Sequence, residues 1–473
     1  MEYTISFDKI SSVFSKIKPG DKIILNDGTI NDLSINITTR GQLLNRITIK
    51  PKNPGKVILT GKVSINITGS YTTLANIVFK DGGKENAITI KGEGNRLTGC
   101  DISLDKTNGP IIMIYPKNNR IDHCYIHDFT KEDRWIQKDP GSKSEDYILI
   151  DHNIIKNRKK GSKGNGYETI QLRNEDNKIK SKSIIYQNMF EQCDGEIELI
   201  SIKSSDNIIA NNTIVSSKAT ITLRSGFNNY VANNKFLQNN TDDSGGLRIT
   251  GENHTIKSNL FKDINGGDTN NCAICVINKT SSVSYQQVKN LKVLNNIFLN
   301  NDCDIGLGIS RGKLQPTDII FSDNIFYKTS KNNVFSSKGS ECKNLVFNNN
   351  KYYVSNIGAS PKDFGSIESP SKFIPTSIDE NKYGATEIYG TRWNVEPETL
   401  DLNIEIQEYY EQLKSKLNTE PTGPTGPTGP AGPTEPIIEI TIPEIVDNKA
   451  VYKLNPNLTS EQIKKLIDSS LNF

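Results

Sequence analysis

The sequence predicts an all-β fold, a parallel β-helix in which short strands stack into a solenoid. Three observations predict it. A corner motif recurs from about Thr73 onward: an apolar pair, a polar pair, then Asn or Cys with an apolar residue two places later. From Asn188 to Asn212, Asn234 and Asn259 the steps are 24, 22 and 25 residues. Short strands repeating at 20–50 residues mark a stacked architecture, and no helical periodicity lies between the copies. At 473 residues and 34% hydrophobic composition, the chain is too long for one ordinary compact core but suits an elongated stack.

In chain order, Phe7, Ile10, Phe14 and Ile17 fall at helical spacing before Pro19-Gly20, predicting an N-terminal capping helix. Lys22–Leu25, Ile47–Ile49 and Val57–Leu59 read as short strands. The repeat then runs through Arg96-Leu-Thr-Gly-Cys100-Asp-Ile102 and Ile184-Ile-Tyr-Gln-Asn188-Met-Phe190 to Val346-Phe-Asn-Asn-Asn350-Lys-Tyr352. Its asparagines are expected to stack at one corner, where Asn tolerates the left-handed turn. Residues 354–395, rich in Ser, Pro and Gly, are expected to wrap the last coils as loops.

Leu400–Leu417 reads as a helix, within a segment 396–418. Residues 419–436 hold four Gly-X-Y triplets, a collagen-like linker. Four triplets are too few for an unaided triple helix, so they set a homotrimer register or act as a stiff spacer. Residues 437–473 form a small C-terminal segment with a strand-like Ile437–Ile442 and a capping box at Thr459–Gln462.

A net charge of +3 argues against a nucleic-acid partner. No apolar run approaches the ~18 residues of a membrane span. The opening Met-Glu-Tyr-Thr-Ile lacks a basic-then-apolar signal region, so no signal peptide is expected. Seven scattered cysteines, with Cys272 and Cys275 as a lone CxxC, read as buried reduced wall residues.

The chemistry concentrates in Asp194-Gly-Glu196-Ile-Glu198-Leu-Ile-Ser-Ile-Lys203. On a strand, Glu196 and Glu198 share the outward face. Two like charges there call for a proton, a cation or water. Lys203 joins that face only if the strand bends, and the apolar pair Leu199-Ile200 suggests the bend. Arg224 follows Lys203 by one coil and is expected directly beside it. Asn165 comes from the preceding coil, and an amide oxygen beside two carboxylates suits Ca²⁺. A lysine and an arginine beside a cation make sense if an acidic ligand bridges them to the metal.

Several segments carry a family resemblance: Lys18-Pro-Gly-Asp21, Arg120-Ile-Asp-His-Cys124, Asn165-Gly-Tyr-Glu168-Thr-Ile170, the stretch Asp194–Ser204, Thr222-Leu-Arg224 and Gly245-Gly-Leu-Arg248-Ile. Over roughly residues 5–350 the chain resembles polysaccharide lyase family six, which holds chondroitinase B and alginate lyases. The resemblance implies a right-handed β-helix over 1–395 and β-elimination beside a uronate in an acidic polysaccharide. It implies Ca²⁺ held by Asn165, Glu196 and Glu198, with Lys203 as base and Arg224 as partner of the departing 4-oxygen. Many members place His after that arginine, where Ser225 stands here.

Arg248 and Arg311 are candidates for uronate carboxylates in flanking subsites, with a solvated arginine the bland reading of Arg311. Glu168 is a candidate support for the metal site or a turn carboxylate. His254 is a candidate substrate contact, but its place before an apolar repeat also suits a structural role. Tyr167 stacks on a sugar or is an exposed loop tyrosine.

Two rival readings stand beside the lyase. The collagen triplets and tail resemble fibre and stalk proteins of large DNA viruses, implying a silent glycan-binding protein at a particle surface. A glycoside hydrolase needs two carboxylates at a hydrolase separation, which Glu196 and Glu198 on one strand face do not offer, and it leaves Lys203 without a role.

Overall fold

The computed structural model describes residues 1–419 apart from 84–85, 105–108, 130–132, 142–144, 163, 175, 177, 268, 279–284, 310–313, 331, 337, 340 and 387–395. Arg311, the collagen-like triplets and the segment 437–473 lie outside the described residues.

Among the described residues the strands form three parallel sheets of 14, 11 and 14 strands. Each coil contributes one strand to each sheet through most of the stack, and every pairing between coils is parallel and close to in register. Strands are three to six residues long in the repeat because a corner ends each one. The left-handed corner residue is the one before the stacking asparagine: Asn211 at φ 54°, Asn233 at 53° and Asn295 at 55°. This corrects the expected position by one residue, since the stacking asparagine must turn its amide inward. Asn188, Asn212, Asn234, Asn259, Asn296 and Asn324 each donate Nδ2 to the next Oδ1 at 2.8–3.0 Å.

Inside, Phe236, Phe261, Phe298, Phe326 and Tyr352 stack at 4.5–5.0 Å between ring centres. Identical side chains one coil apart fall at the interstrand spacing of ~4.8 Å, which suits face-to-face contact of offset rings.

The N-terminal helix is shorter than expected. A 3₁₀-helix spans Phe7–Val13 and buries Phe7 and Ile10, while Phe14 and Ile17 lie beyond it, partly buried against the core. Residues 354–384 include a strand, Ile367–Glu368, added to the end of one sheet. Helix α1 (Ile406–Thr419) starts six residues later than read from the sequence. It buries Ile406, Tyr410, Leu413 and Leu417 against Tyr147, Leu149, Ile184 and Tyr230 of the sheet. Its last turn accepts from Tyr230 Oη at 3.1 Å and Lys257 Nζ at 2.8 Å, both on the Leu417 carbonyl. No helix among the described residues is long and apolar enough to cross a membrane. All seven cysteines are free thiols, six of them buried.

Candidate functional site

Four consecutive strands of the 11-stranded sheet carry the site: β1 (Ile170–Arg173), β2 (Glu198–Lys203), β3 (Thr220–Ser225) and β4 (Leu247–Ile249). Leu199 and Ile200 both enter the core, 1% and 0% exposed. Two successive inward residues require a bulge, and the register shifts between Glu198 and Ile200. From there Ser201 and Lys203 face outward beside Glu198. Glu196 precedes the strand instead of lying on it.

A second shift lies between Ile202 and Lys203. Ser225, not Arg224, therefore pairs with Lys203, and Arg224 is the extra residue of the bulge. Its guanidinium turns to Glu198, donating from Nη1 to Oε1 at 2.7 Å.

Oxygens of Glu168, Glu196 and Glu198 lie within 4.8 Å of one another, and all three residues are buried. Glu168, read from the sequence as a support for the metal site or a turn carboxylate, is the fully buried member of this triad. Its Oε1 accepts from Lys203 Nζ at 3.0 Å and from Gln171 Nε2 at 2.6 Å. Arg134 Nε lies 3.4 Å from its Oε2. Burial raises the Glu168 pKa, but Lys203 and Arg134 outweigh it and hold the carboxyl below its usual range. Glu198 accepts from Ser201 Oγ at 2.5 Å, and Arg248 Nη1 is 3.7 Å away. The Lys203 and Arg224 side chains keep 22% exposure each, so a ligand can reach both.

Glu196 is the odd member. Its Oε1 is buried without a hydrogen-bond partner. Burial, then the Glu168 and Glu198 charges, push its pKa up to about 8. Glu168 Oε2 is likewise buried without a hydrogen bond. An all-oxygen donor set with orphaned carboxylate oxygens fits a hard divalent cation such as Ca²⁺.

The remaining candidates divide. Asn165 is exposed on the loop three residues before Glu168. Tyr167 is 5% exposed, its ring against Gly161, which does not suit the sugar-stacking reading. Arg248 is 2% exposed with its head toward Glu198, so it braces the triad and does not form an open subsite. His254 is 1% exposed. Its Nδ1 accepts the Asn229 amide at 3.1 Å, which puts the proton on Nε2, facing the Thr250 carbonyl at 3.0 Å. Both nitrogens are spent on the coil, so His254 is structural.

Arg134, Gln171, Ser201 and Tyr285 were missed. Gln171 and Ser201 were legible as outward polar residues between buried neighbours in Ile170-Gln-Leu172 and Ile200-Ser-Ile202. Tyr285, whose ring centre lies 4.6 Å from the Arg224 guanidinium carbon, carried no signal, being far from Arg224 in sequence.

The sequence profile of the chondroitinase B family matches residues 5–370. No curated protein matches in sequence. Among solved structures, a mannuronic-acid-specific family 6 polysaccharide lyase from human gut microbiota is 26% identical, with a TM-score of 0.62 over 73% of this chain and 82% of that one. The family 6 alginate lyase AlyGC is 24% identical, with a TM-score of 0.73 over 81% of this chain and 56% of that one. A family 6 polysaccharide lyase from Pseudopedobacter saltans is 20% identical, with a TM-score of 0.64 over 81% and 99%. A family profile spanning this much of the chain, on a parallel β-solenoid, places the protein in the chondroitinase B family of polysaccharide lyases.

Proposed function

We propose that this polysaccharide lyase cleaves a uronate-containing polymer by β-elimination, with Lys203 as base and Arg224 as electrostatic partner. The observation that carries the reading is the joining of the buried carboxylate triad to Lys203 and Arg224 on one sheet face.

The roles follow from position. As the base, Lys203 Nζ takes the C5 proton, and Glu168 at 3.0 Å holds the Nζ in place. Arg224, fixed by Glu198, offers positive charge to the oxygen leaving C4. Arg248 braces Glu198 from the following coil. Glu196, Glu198 and Asn165 would hold Ca²⁺, with Glu168 alongside. Once bound, the ion would neutralise the uronate carboxylate and the charge that builds on it. The partly exposed Lys203 and Arg224 suit an acidic polymer, and the mannuronic-acid-specific neighbour favours alginate among these.

The test is ultraviolet absorbance of the new C4=C5 bond over alginate, polymannuronate, polyguluronate, dermatan sulfate, chondroitin sulfate and pectate, with Ca²⁺ and with chelator. A rise on one polymer that chelator abolishes is expected. A rise unaffected by chelator overturns the metal assignment, and full activity of Lys203→Ala overturns the base. We propose that the Gly-X-Y segment sets a trimer register or acts as a stiff spacer; a monomer by light scattering of the full chain refutes the trimer.

A further inference from the structure

Lys138 belongs to a buried polar cluster outside the lyase site. It ends the strand Ile136–Lys138, which pairs with β1 from the preceding coil. Lys138 is 0% exposed, and its partners Asp146 and Asn174 are 2% and 4% exposed. Lys138 Nζ lies 2.9 Å from Asp146 Oδ2 and donates to Asn174 Oδ1. Asn174 Nδ2 donates to the Ile179 carbonyl at 3.3 Å. An amine, a carboxamide and a carboxylate are thus held together away from water.

A second buried lysine shows a purely structural arrangement. Lys328 Nζ is 3.1 Å from Asp304 Oδ2, and both residues are 0% exposed. It also donates to three backbone carbonyls, those of Asn301, Asn333 at 2.8 Å and Asp302 at 3.3 Å. That shell suits an ammonium. Around Lys138 the backbone carbonyls of Arg173 and Asp139 stand back at 3.4 and 3.5 Å, and the near neighbour is a side-chain amide. Burial is the largest influence on the Lys138 amine and lowers its pKa, with Asp146 opposing. Moving the proton to Asp146 relieves the cost of a dry ion pair and leaves a neutral amine, which is a nucleophile. Asn174 Cγ is the electrophile beside it. Well-oriented neighbours react with effective molarities of ~10⁵ M or more, and burial keeps water from competing.

We propose that Lys138 and Asn174 join in an intramolecular isopeptide bond, with Asp146 as the proton carrier. The Lys138 nitrogen attacks Asn174 Cγ, the new N–C bond forms, and the Cγ–Nδ2 bond breaks. Asp146 carries one proton from the attacking nitrogen to the departing one, which leaves as ammonia. No oxidant or co-reactant enters. The bond joins residues 36 positions apart. The Asn174 amide donates to the Lys203 carbonyl at 3.3 Å, so the bond also clamps the coil beside the Lys203 strand. It forms whether or not the site turns over a polymer.

The experiment is intact mass spectrometry of the full chain, purified folded and then denatured, followed by proteolysis. The expected mass is one ammonia below that of the sequence, with a branched peptide joining the segments around Lys138 and Asn174. Asn174→Ala and Asp146→Ala, checked for folding by thermal unfolding, should each show their full sequence mass and linear peptides. Ammonia lost as a succinimide at Asn165-Gly166 would leave only linear peptides and persist in Asn174→Ala, and that result overturns the proposal. A wild type at full mass after prolonged incubation of the folded protein overturns it too, whether or not the variants fold. A loss of water in place of ammonia would place the bond at Lys328 and Asp304 and refute Lys138. A branched peptide that survives Asp146→Ala overturns the role of Asp146.

Discussion

His254 offers a clean test of how burial sets chemistry in this fold. The ring is 1% exposed and neutral, accepting from Asn229 and donating to Thr250. Burial pushes its pKa down from 6.5 to about 4, against a smaller opposing effect of the Thr250 carbonyl. In the unfolded chain the imidazole takes up a proton as pH falls below 6.5, while the folded ring stays neutral until about pH 4. The stability tied to the neutral ring is therefore complete above pH 6.5 and is lost as pH falls toward 4. Each pH unit in that window removes about 1.4 kcal/mol, so the whole window removes roughly 3 kcal/mol. Gln at this position keeps one donor and one acceptor but does not titrate. The assay is thermal unfolding of wild type and His254→Gln at half-unit steps from pH 7.5 to 4. The wild-type midpoint should fall about 5 °C further than the variant's over the window. His123, also pushed down to about 4 chiefly by burial, stays in both proteins and cancels. Parallel pH profiles for the two proteins would refute the argument. A raised KM with an unchanged pH slope would return His254 to the substrate.

Three further outcomes follow from named contacts. Glu196→Gln should abolish the rise in thermal midpoint on adding Ca²⁺, because it removes a charged member of the triad; an undiminished rise would move the cation elsewhere. Asn234→Ala removes four hydrogen bonds at 2.9–3.0 Å, to Asn212, Ile209 and Asn259. It should cost about 3–5 kcal/mol and raise amide hydrogen exchange at Asn212, and unchanged exchange there would count against the ladder. Gly195→Ala would put a Cβ 2.2 Å from Arg158 Nε and 2.4 Å from the Tyr167 carbonyl oxygen. The backbone contact cannot yield, so the turn carrying Glu196 should shift, with loss of turnover and of Ca²⁺ binding together.

The sequence by itself determined the solenoid. Its corner asparagines and paired apolar residues recur with the coil, so local turn preference and stacking between identical residues select the same fold. It also marked Glu196, Glu198, Lys203 and Arg224, because a strand's alternation and a coil's period are both visible in one dimension. The Leu199-Ile200 pair announced the bulge that brings Lys203 round to Glu198.

The tertiary structure decided which of these groups touch and which are reachable. A one-residue bulge at Arg224 turned it from Lys203 to Glu198, and bulge position depends on the pairing of two coils, not on either alone. Burial reassigned Glu168, Arg248, Tyr167 and His254, since exposure at a coil's edge depends on loops packed from elsewhere in the chain. Tyr285 meets Arg224 from a distant part of the chain, next to Gln286, Gln287 and Val288, which are held by contacts with other coils. Periodicity specifies which coil a residue occupies; contact between side chains separated by whole coils is settled only when the coils are stacked.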